Sequence, residues 1–391
     1  MCCEVAVDIC SRNLSIRQPR QTGDHPEVDQ SELKNASAHY NGQYYQNKVQ
    51  RFVTPARIAV PVMLLLFVAG LHVNNVRNLT TVNGALSCAK LFKAGSLQRN
   101  ATTESGVWKP DGCAVRYRSI NESIKCMADL TDKNLNAPFI VFAGDSRLRQ
   151  LRDGLIFALT GQDYDVMANP HAKVDPSFYK KHAAHGDFYK SAGAHVRFEW
   201  LPYLDNGDGD MTKFIKRTIQ SEFKPNLLVL GAGVWRIRDC ERAKKSQETC
   251  SQEYKLLFLK LLPLLLQLSN TTDIIWTPQA VINEKLLRHP DDLQVGFNNR
   301  NMQLYNGVVR EVLDSVSTWE RPPVTFWHSA WETSVQLNDG IDGLHFGVHT
   351  KHHLIQMLIN WMCSSVTREL SVFQDYTRFI WGNTPEEYCC E

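Results

Sequence analysis

The chain has 391 residues, 43% hydrophobic and 21% charged, with 43 Lys and Arg against 41 Asp and Glu. That apolar content is enough for one sizeable domain or two small ones with an ordinary buried core, and it excludes a chain disordered throughout. A formal net charge of +2, with no long basic run, excludes the electrostatic footprint of a nucleic-acid binder.

In chain order, residues 1–57 are rich in Asn, Gln, Ser and Arg, lack apolar periodicity, and read as a disordered cytosolic tail. The uncharged run at 58–73 then approaches the length of a bilayer span. With so many polar residues ahead of it, it reads as an uncleaved signal-anchor over 58–76 rather than a cleaved leader, and a membrane helix tolerates Pro61. Lys48, Arg51 and Arg57 precede the run and Arg77 follows it, so the positive-inside rule places everything beyond it in a lumen or outside the cell.

Two features agree with that topology. The sequons at Asn78, Asn100, Asn121 and Asn270 all lie beyond the anchor, where they could carry glycans. Of the 11 cysteines, only Cys2, Cys3 and Cys10 precede it. The others, Cys88, Cys113, Cys126, Cys240, Cys250, Cys363, Cys389 and Cys390, form an even set suited to disulfides. Spacing leaves their pairing open, although Cys240 and Cys250 flank a charged loop and could close it. Cys2 and Cys3 read as cytosolic thiols or as palmitoylation sites.

Residues 77–137 read as an irregular, cysteine-containing lumenal lead-in. Over 138–366 short apolar runs alternate with helical patterns, the signature of β-α units around a mostly parallel sheet. Strands are expected at 139–143, 196–201, 226–231, 273–277 and 324–327. Helices are expected from Ser146, with Leu148, Leu151, Leu155 and Leu159 at helical spacing, over 255–268 with a kink at Pro263, over 298–316, and over 349–363. This order predicts an α/β protein, a flavodoxin-like three-layer α/β/α sandwich plus one N-terminal transmembrane helix, with ligands outside the carboxyl ends of the strands. Residues 367–391 are a C-terminal extension.

Gly144-Asp145-Ser146 falls at the turn from the first of these strands into its helix. A serine there points into the crevice near the positive end of the helix dipole and is a candidate nucleophile; an ordinary Asp N-cap is the competing reading. Asp342-Gly343-Leu344-His345 follows the last strand, at the same sheet edge. His345 can take the serine proton while Asp342 holds the imidazole tautomer, which makes Ser146, Asp342 and His345 a candidate triad in the chain order Ser, Asp, His.

The segments GDSRLRQL (144–151), GAGVW (231–235) and DGLH (342–345) resemble the first, third and fifth sequence blocks of the SGNH/GDSL hydrolase superfamily. The version they match is that of the sialic acid (N-acetylneuraminate) 9-O-acetyltransferase family, and the extended GDSRxRQ form is far more specific than GDS alone. The resemblance runs from roughly Cys88 to Cys363. It implies an SGNH-like, PC-esterase-type catalytic domain in the Golgi lumen of a single-pass type II protein. It also implies acetyl-coenzyme A as donor, an acyl-serine intermediate, and a sialic acid hydroxyl as acceptor, with CMP-sialic acid or a sialylated glycan as partner. Acetyl-coenzyme A is then a substrate, with no bound cofactor and no metal.

Two departures from the wider superfamily follow. Many SGNH enzymes carry an oxyanion-hole asparagine in the third block where this chain has Gly233; the sialate branch lacks it too. The amides of Ser146 and Gly233 are then the candidate donors, each worth roughly 10²-fold in rate. Family members also continue into a multi-span membrane region, whereas this sequence ends at Glu391, as a short paralogue or a partial gene model would.

Arg147 and Arg149 are candidates to pair with an acceptor carboxylate or donor phosphate, or else structural charges. Trp235 stacks on a sugar, lines the acyl pocket or sits in the core. His182 and His185, in a loop with Tyr179 and Tyr189, are acceptor-side candidates or plain surface residues. His345, His349, His352 and His353 have helical spacings that suit zinc, but no Cys or Glu completes a ligand set. The rivals to acyl transfer are a carbohydrate O-acetylesterase using the same triad and a non-catalytic glycan-binding protein.

Overall fold

A strand of uninterrupted apolar residues is stable only where both its faces are covered, and this chain sets several such runs side by side. The computed structural model describes residues 88–100, 103–134, 137–165, 182–205, 209–287, 296–317, 322–378 and 388–390. The expected tail, the anchor at 58–76, Asn78 and Tyr179 lie outside these residues. Among the described residues no helix is long and apolar enough to cross a membrane.

Strands β1 (Gly95–Asn100) and β2 (Thr103–Pro110) pair as a separate antiparallel hairpin. The main sheet holds β3 (Phe139–Gly144), β4 (His185–Tyr189), β5 (Ala194–Trp200), β6 (Leu227–Gly231), β7 (Asp273–Trp276) and β8 (Thr325–Phe326), in the order β4-β5-β3-β6-β7-β8. All neighbours are parallel except β4, which runs antiparallel to β5 at one edge. Taking the parallel strands in chain order, the arrangement is second, first, third, fourth, fifth. That order reverses direction at β3, so a crevice opens at its carboxyl end.

Alternation along the strands divides the core in two. Ile140, Phe142, Leu227 and Val229 face one side, with Leu148, Leu151 and Leu155 of α2 (Ser146–Thr160) and Leu354 and Leu358 of α8 (Val348–Arg378). On that side α2 and α8 also contact α1 (Ile120–Asn134). Val141, Ala143, Leu228 and Leu230 face the other side. There they meet α3 (Asp210–Gln220), α4 (Val234–Arg242), α5 (Gln247–Leu268) and α6 (Asn299–Val316). Helix α7 (His328–Leu337) packs against β1 and α8. The architecture is α/β with a mostly parallel sheet and helices on both faces, compatible with a three-layer sandwich.

Several expectations need correction. The lead-in is not irregular, since it contains the hairpin and the fifteen-residue α1. A capping box starts that helix: the Ser119 amide donates to Glu122 Oε2 (2.8 Å) and the Glu122 amide to Ser119 Oγ (3.3 Å). Helix α5 begins at Gln247, not 255, because Ser246 Oγ caps it by accepting from the Thr249 amide (3.1 Å). The last strand shrinks to two residues, while α8 runs beyond 363. Helices α3, α4 and α7 and strand β4 had no counterpart in the sequence reading.

All the cysteines from Cys88 onward are paired. Cys240–Cys250 closes the charged loop between α4 and α5, as the spacing allowed. Cys126–Cys363 joins α1 to α8, and Cys88–Cys390 and Cys113–Cys389 return the end of the chain to the lead-in. The Cys389 amide also donates to the Ala114 carbonyl (2.9 Å), so residues 388–390 lie as a strap beside the start of the described chain.

Candidate active site

The site begins with two glycines. Gly144 and Gly231 are register partners at the carboxyl ends of β3 and β6. A Cβ on Gly144 would come within 2.1 Å of the Gly231 carbonyl oxygen, so only glycine lets the strands end this close and the chain turn into α2. Asp145 caps that helix, its Oδ1 accepting from the Arg147 amide (2.9 Å), and Ser146 is the first helical residue. The N-cap and the candidate nucleophile are therefore adjacent residues, and the competing readings of this tripeptide describe one turn.

Across the crevice, the segment ahead of α8 folds Asp342 around its own chain. Asp342 Oδ1 accepts from the amides of Leu344 (2.9 Å) and His345 (2.8 Å), and Oδ2 lies 2.7 Å from His345 Nδ1. Gly343, at φ 87°, supplies the left-handed residue that this tight turn requires. Burial opposes ionisation of Asp342, but the hydrogen bond and charge of His345, with the two amides, outweigh it and hold the carboxyl well below its ordinary range. An ionised Asp342 only accepts, so Nδ1 carries the proton and Nε2 is left as the acceptor. That Nε2 is 2.7 Å from Ser146 Oγ. Residues 199 apart in sequence thus form one continuous chain of hydrogen bonds.

The third block follows β6. The Ala232 carbonyl accepts from Tyr254 Oη (2.6 Å) and from Gln279 Nε2 (2.7 Å). Across a trans peptide the C=O and N–H point in opposite directions, so these two bonds turn the Gly233 amide away from Tyr254 and Gln279. Among the described residues, no hydrogen bond within the protein takes up the amide of Gly233 or of Ser146. Tyr254 and Gln279 carry no motif and were not singled out in the sequence.

Arg147 is 3% exposed, its Nη2 donating to Gln279 Oε1 (2.9 Å) and its Nη1 to the Ala280 carbonyl (3.5 Å). Burial pulls its pKa down against the charges of Asp145 and Asp342. Arg149 is buried too, with its charge acting on Asp153. Both side chains are thus buried, and the Arg147 guanidinium meets Gln279 and Ala280. Arg147 thereby braces Gln279, which holds Ala232.

Trp235 is half-buried in the first turn of α4, among Trp200, Tyr203 and His182. His182 is exposed and stacks on Trp200; His185 opens β4 and Tyr189 closes it. The other histidines are spread over different partners. His345 faces Ser146, the His349 amide caps onto Asp339 Oδ2 (2.9 Å), and His353 Nδ1 meets Tyr117 Oη (2.5 Å) beside His352. Asn121 and Asn270 are exposed, and Asn100 ends β1. No family model matches the sequence.

Proposed function

We propose that the chain is a serine O-acyltransferase with an SGNH-hydrolase-like catalytic domain, of the kind found in the sialic acid 9-O-acetyltransferases. The observation that carries this reading is the Ser146–His345–Asp342 chain, with 2.7 Å at both links, at the carboxyl edge of a mostly parallel sheet. The finer fold assignment is supported by the placement of the motifs. The nucleophile follows the first parallel strand, the GAGVW block the third, and DGLH the fifth.

In this reading His345 Nε2 takes the Ser146 proton while Oγ attacks the thioester carbonyl of acetyl-coenzyme A. The tetrahedral oxyanion meets the amides of Ser146 and Gly233 at the positive end of α2. The C–S bond breaks, and the departing thiolate takes the proton from His345. A sialic acid hydroxyl, carried by CMP-sialic acid or a glycan, then gives its proton to His345 and attacks the acyl-serine, which regenerates Ser146. Asp342 stays ionised throughout and holds the imidazole. The disulfides favour an oxidising compartment, which supports a Golgi lumenal placement beyond an anchor at 58–76.

The test is acetyl transfer by the full chain from acetyl-coenzyme A, with CMP-sialic acid or water as acceptor, beside Ser146→Ala. Acetylated sugar that disappears in the variant is the expected result. Thiol release without acetylated sugar would instead make the chain an esterase with the same triad. Equal background in wild type and variant would overturn the triad and leave a glycan-binding role.

A further inference from the structure

Each aromatic side chain removes about 150–250 Å² from water when buried, and this fold uses several of its tryptophans that way. Trp108, Trp276 and Trp327 are at most 1% exposed. Trp200, Tyr203 and Trp235 behave differently. They converge at the carboxyl edge of the sheet, and each keeps part of its surface in solvent. Trp200 ends β5 in register with Gly144, two residues before Ser146, and Trp235 follows Gly233 by two residues. These aromatic walls stand beside the segments that carry the nucleophile and the Gly233 amide.

The rings form a corner. Trp200 and Trp235 meet edge to face, centroids 5.8 Å apart and planes at 89°, and Tyr203 lies 6.2 Å from Trp235. A flat ring already rests on one wall: exposed His182 stacks on Trp200 at 4.4 Å and 30°. The other wall is braced. The Arg238 guanidinium sits 4.0 Å from the Trp235 ring centre, and its Nη2 donates to Tyr203 Oη (2.9 Å) and Asp239 Oδ1 (2.7 Å). Tyr203 Oη in turn donates to Asp239 Oδ2 (2.8 Å). Walls fixed in advance by such bonds lower the entropy lost when a ligand is ordered against them.

The geometry points to a pyranose-binding subsite at this corner, with the sugar ring on Trp200 in the place of the His182 imidazole and its edge along Trp235. A puckered sugar presents C–H groups on its faces and hydroxyls around its rim. The corner offers two perpendicular π surfaces with a polar group, Tyr203, Asp239 and Arg238, at its margin. A flat nucleobase would use only one of those walls. The inference rests on the acyl-transfer reading for its orientation, with a free hydroxyl of the ring toward Ser146, and it adds the residues that hold the acceptor.

The experiment is ligand-observed saturation-transfer NMR on the full chain carrying Ser146→Ala, so that nothing turns over. The probes are the methyl α-glycoside of N-acetylneuraminic acid, methyl β-galactopyranoside and CMP. Saturation is expected on the ring protons of a pyranose probe. Trp200→Leu and Trp235→Leu are each expected to weaken binding about tenfold or more, the scale of a lost ring stack. Tyr203→Phe is the gentler variant, about threefold weaker, should a tryptophan replacement fail to fold. Trp361→Phe, which packs on Phe92 elsewhere, is expected to bind as the parent does. No pyranose signal, a signal unchanged by both tryptophan replacements, or saturation confined to cytidine protons would each overturn the subsite. Labelling of Ser146 by a fluorophosphonate in the wild-type chain reports the triad separately. Labelling without sugar binding removes the subsite alone, and sugar binding without labelling removes the triad alone.

Discussion

Gln150 holds Phe346 by both backbone groups: its Oε1 accepts from the Phe346 amide (3.0 Å) and its Nε2 donates to the Phe346 carbonyl (3.2 Å). Gln150 lies one helical turn beyond Ser146 in α2, and Phe346 is the residue after His345. The pair therefore ties the base to the helix that carries the nucleophile, and it gives the last residue type of GDSRxRQ a physical task. Gln150 Nε2 also reaches Asp165, which Lys351 of α8 holds at 2.6 Å. Replacement by leucine keeps the volume and removes the bonds. We expect Gln150→Leu to lower kcat about 10- to 100-fold with little change in KM, the scale of a misplaced catalytic group. The check is steady-state kinetics together with the rate of fluorophosphonate labelling at Ser146. A variant that loses stability but labels at the wild-type rate would show that the pair serves packing only.

Asp342 makes a prediction with a definite sign. Its folded-state pKa is depressed, so its stabilising contribution is fully present above the ordinary carboxylate range near pH ~4 and is lost as pH falls through the folded value. Thermal unfolding followed downward from pH ~5 should therefore fall more steeply in the wild type than in Asp342→Asn. At neutral pH the same variant leaves His345 without its ionised partner and should lose about 10⁴-fold in kcat. Parallel acid limbs in the two proteins would contradict the assignment of this carboxylate.

The parts of the fold and site that could be read in advance are those encoded locally. The α2 leucines recur at helical spacing, residues 139–143, 227–230 and 274–276 are unbroken apolar runs, and Asp342 reaches His345 from three residues away. Ser146 could be read because its position in a strand-to-helix turn is itself the signal. What was missed depends on distant partners. Substrate clamp and structural charge cannot be separated for Arg147 from its neighbours in sequence, because Gln279, which meets its guanidinium, lies 132 residues on, and Tyr254 has no meaning until it meets Ala232. Strand β4 has only Phe188 and Tyr189 as its bulky apolar residues and owes its place to pairing with β5. Helix α1 is different, since its Ser119–Glu122 capping box is a local signal carried by the sequence itself.

Tyr254 tests how the oxyanion site is held. Its Oη accounts for one of the two bonds that orient the Ala232–Gly233 peptide, and Tyr254→Phe removes that bond while keeping the ring that packs near Tyr305. A stability loss of about 1 kcal/mol is expected. If the Gly233 amide meets the oxyanion, kcat should fall about tenfold with KM unchanged, and a boronic acid that mimics the tetrahedral state should bind correspondingly more weakly. A fall in stability with kcat and boronate affinity intact would remove Gly233 from the oxyanion site.

The terminal strap provides a prediction about stability. Cys88–Cys390 and Cys113–Cys389 are nested: with either one in place, the other closes a ring of roughly 26 residues, far smaller than their separations along the chain of 302 and 276. Removing one pair as serines therefore reopens only the small ring, at about 3 kcal/mol by the chain-entropy argument. Removing both releases the strap, and only Cys126–Cys363 is left to tie the lead-in to the end of the domain. The quadruple variant should then lose slightly more than the sum of the two pairs, by less than about 1 kcal/mol, because with Cys126–Cys363 intact the second loss opens a ring of roughly 40 to 70 residues against roughly 26 for the first. Urea unfolding of the four proteins under non-reducing conditions measures this coupling directly. A quadruple variant no less stable than either pair variant would mean that the bridges constrain nothing beyond what the Ala114–Cys389 hydrogen bond and local packing already hold.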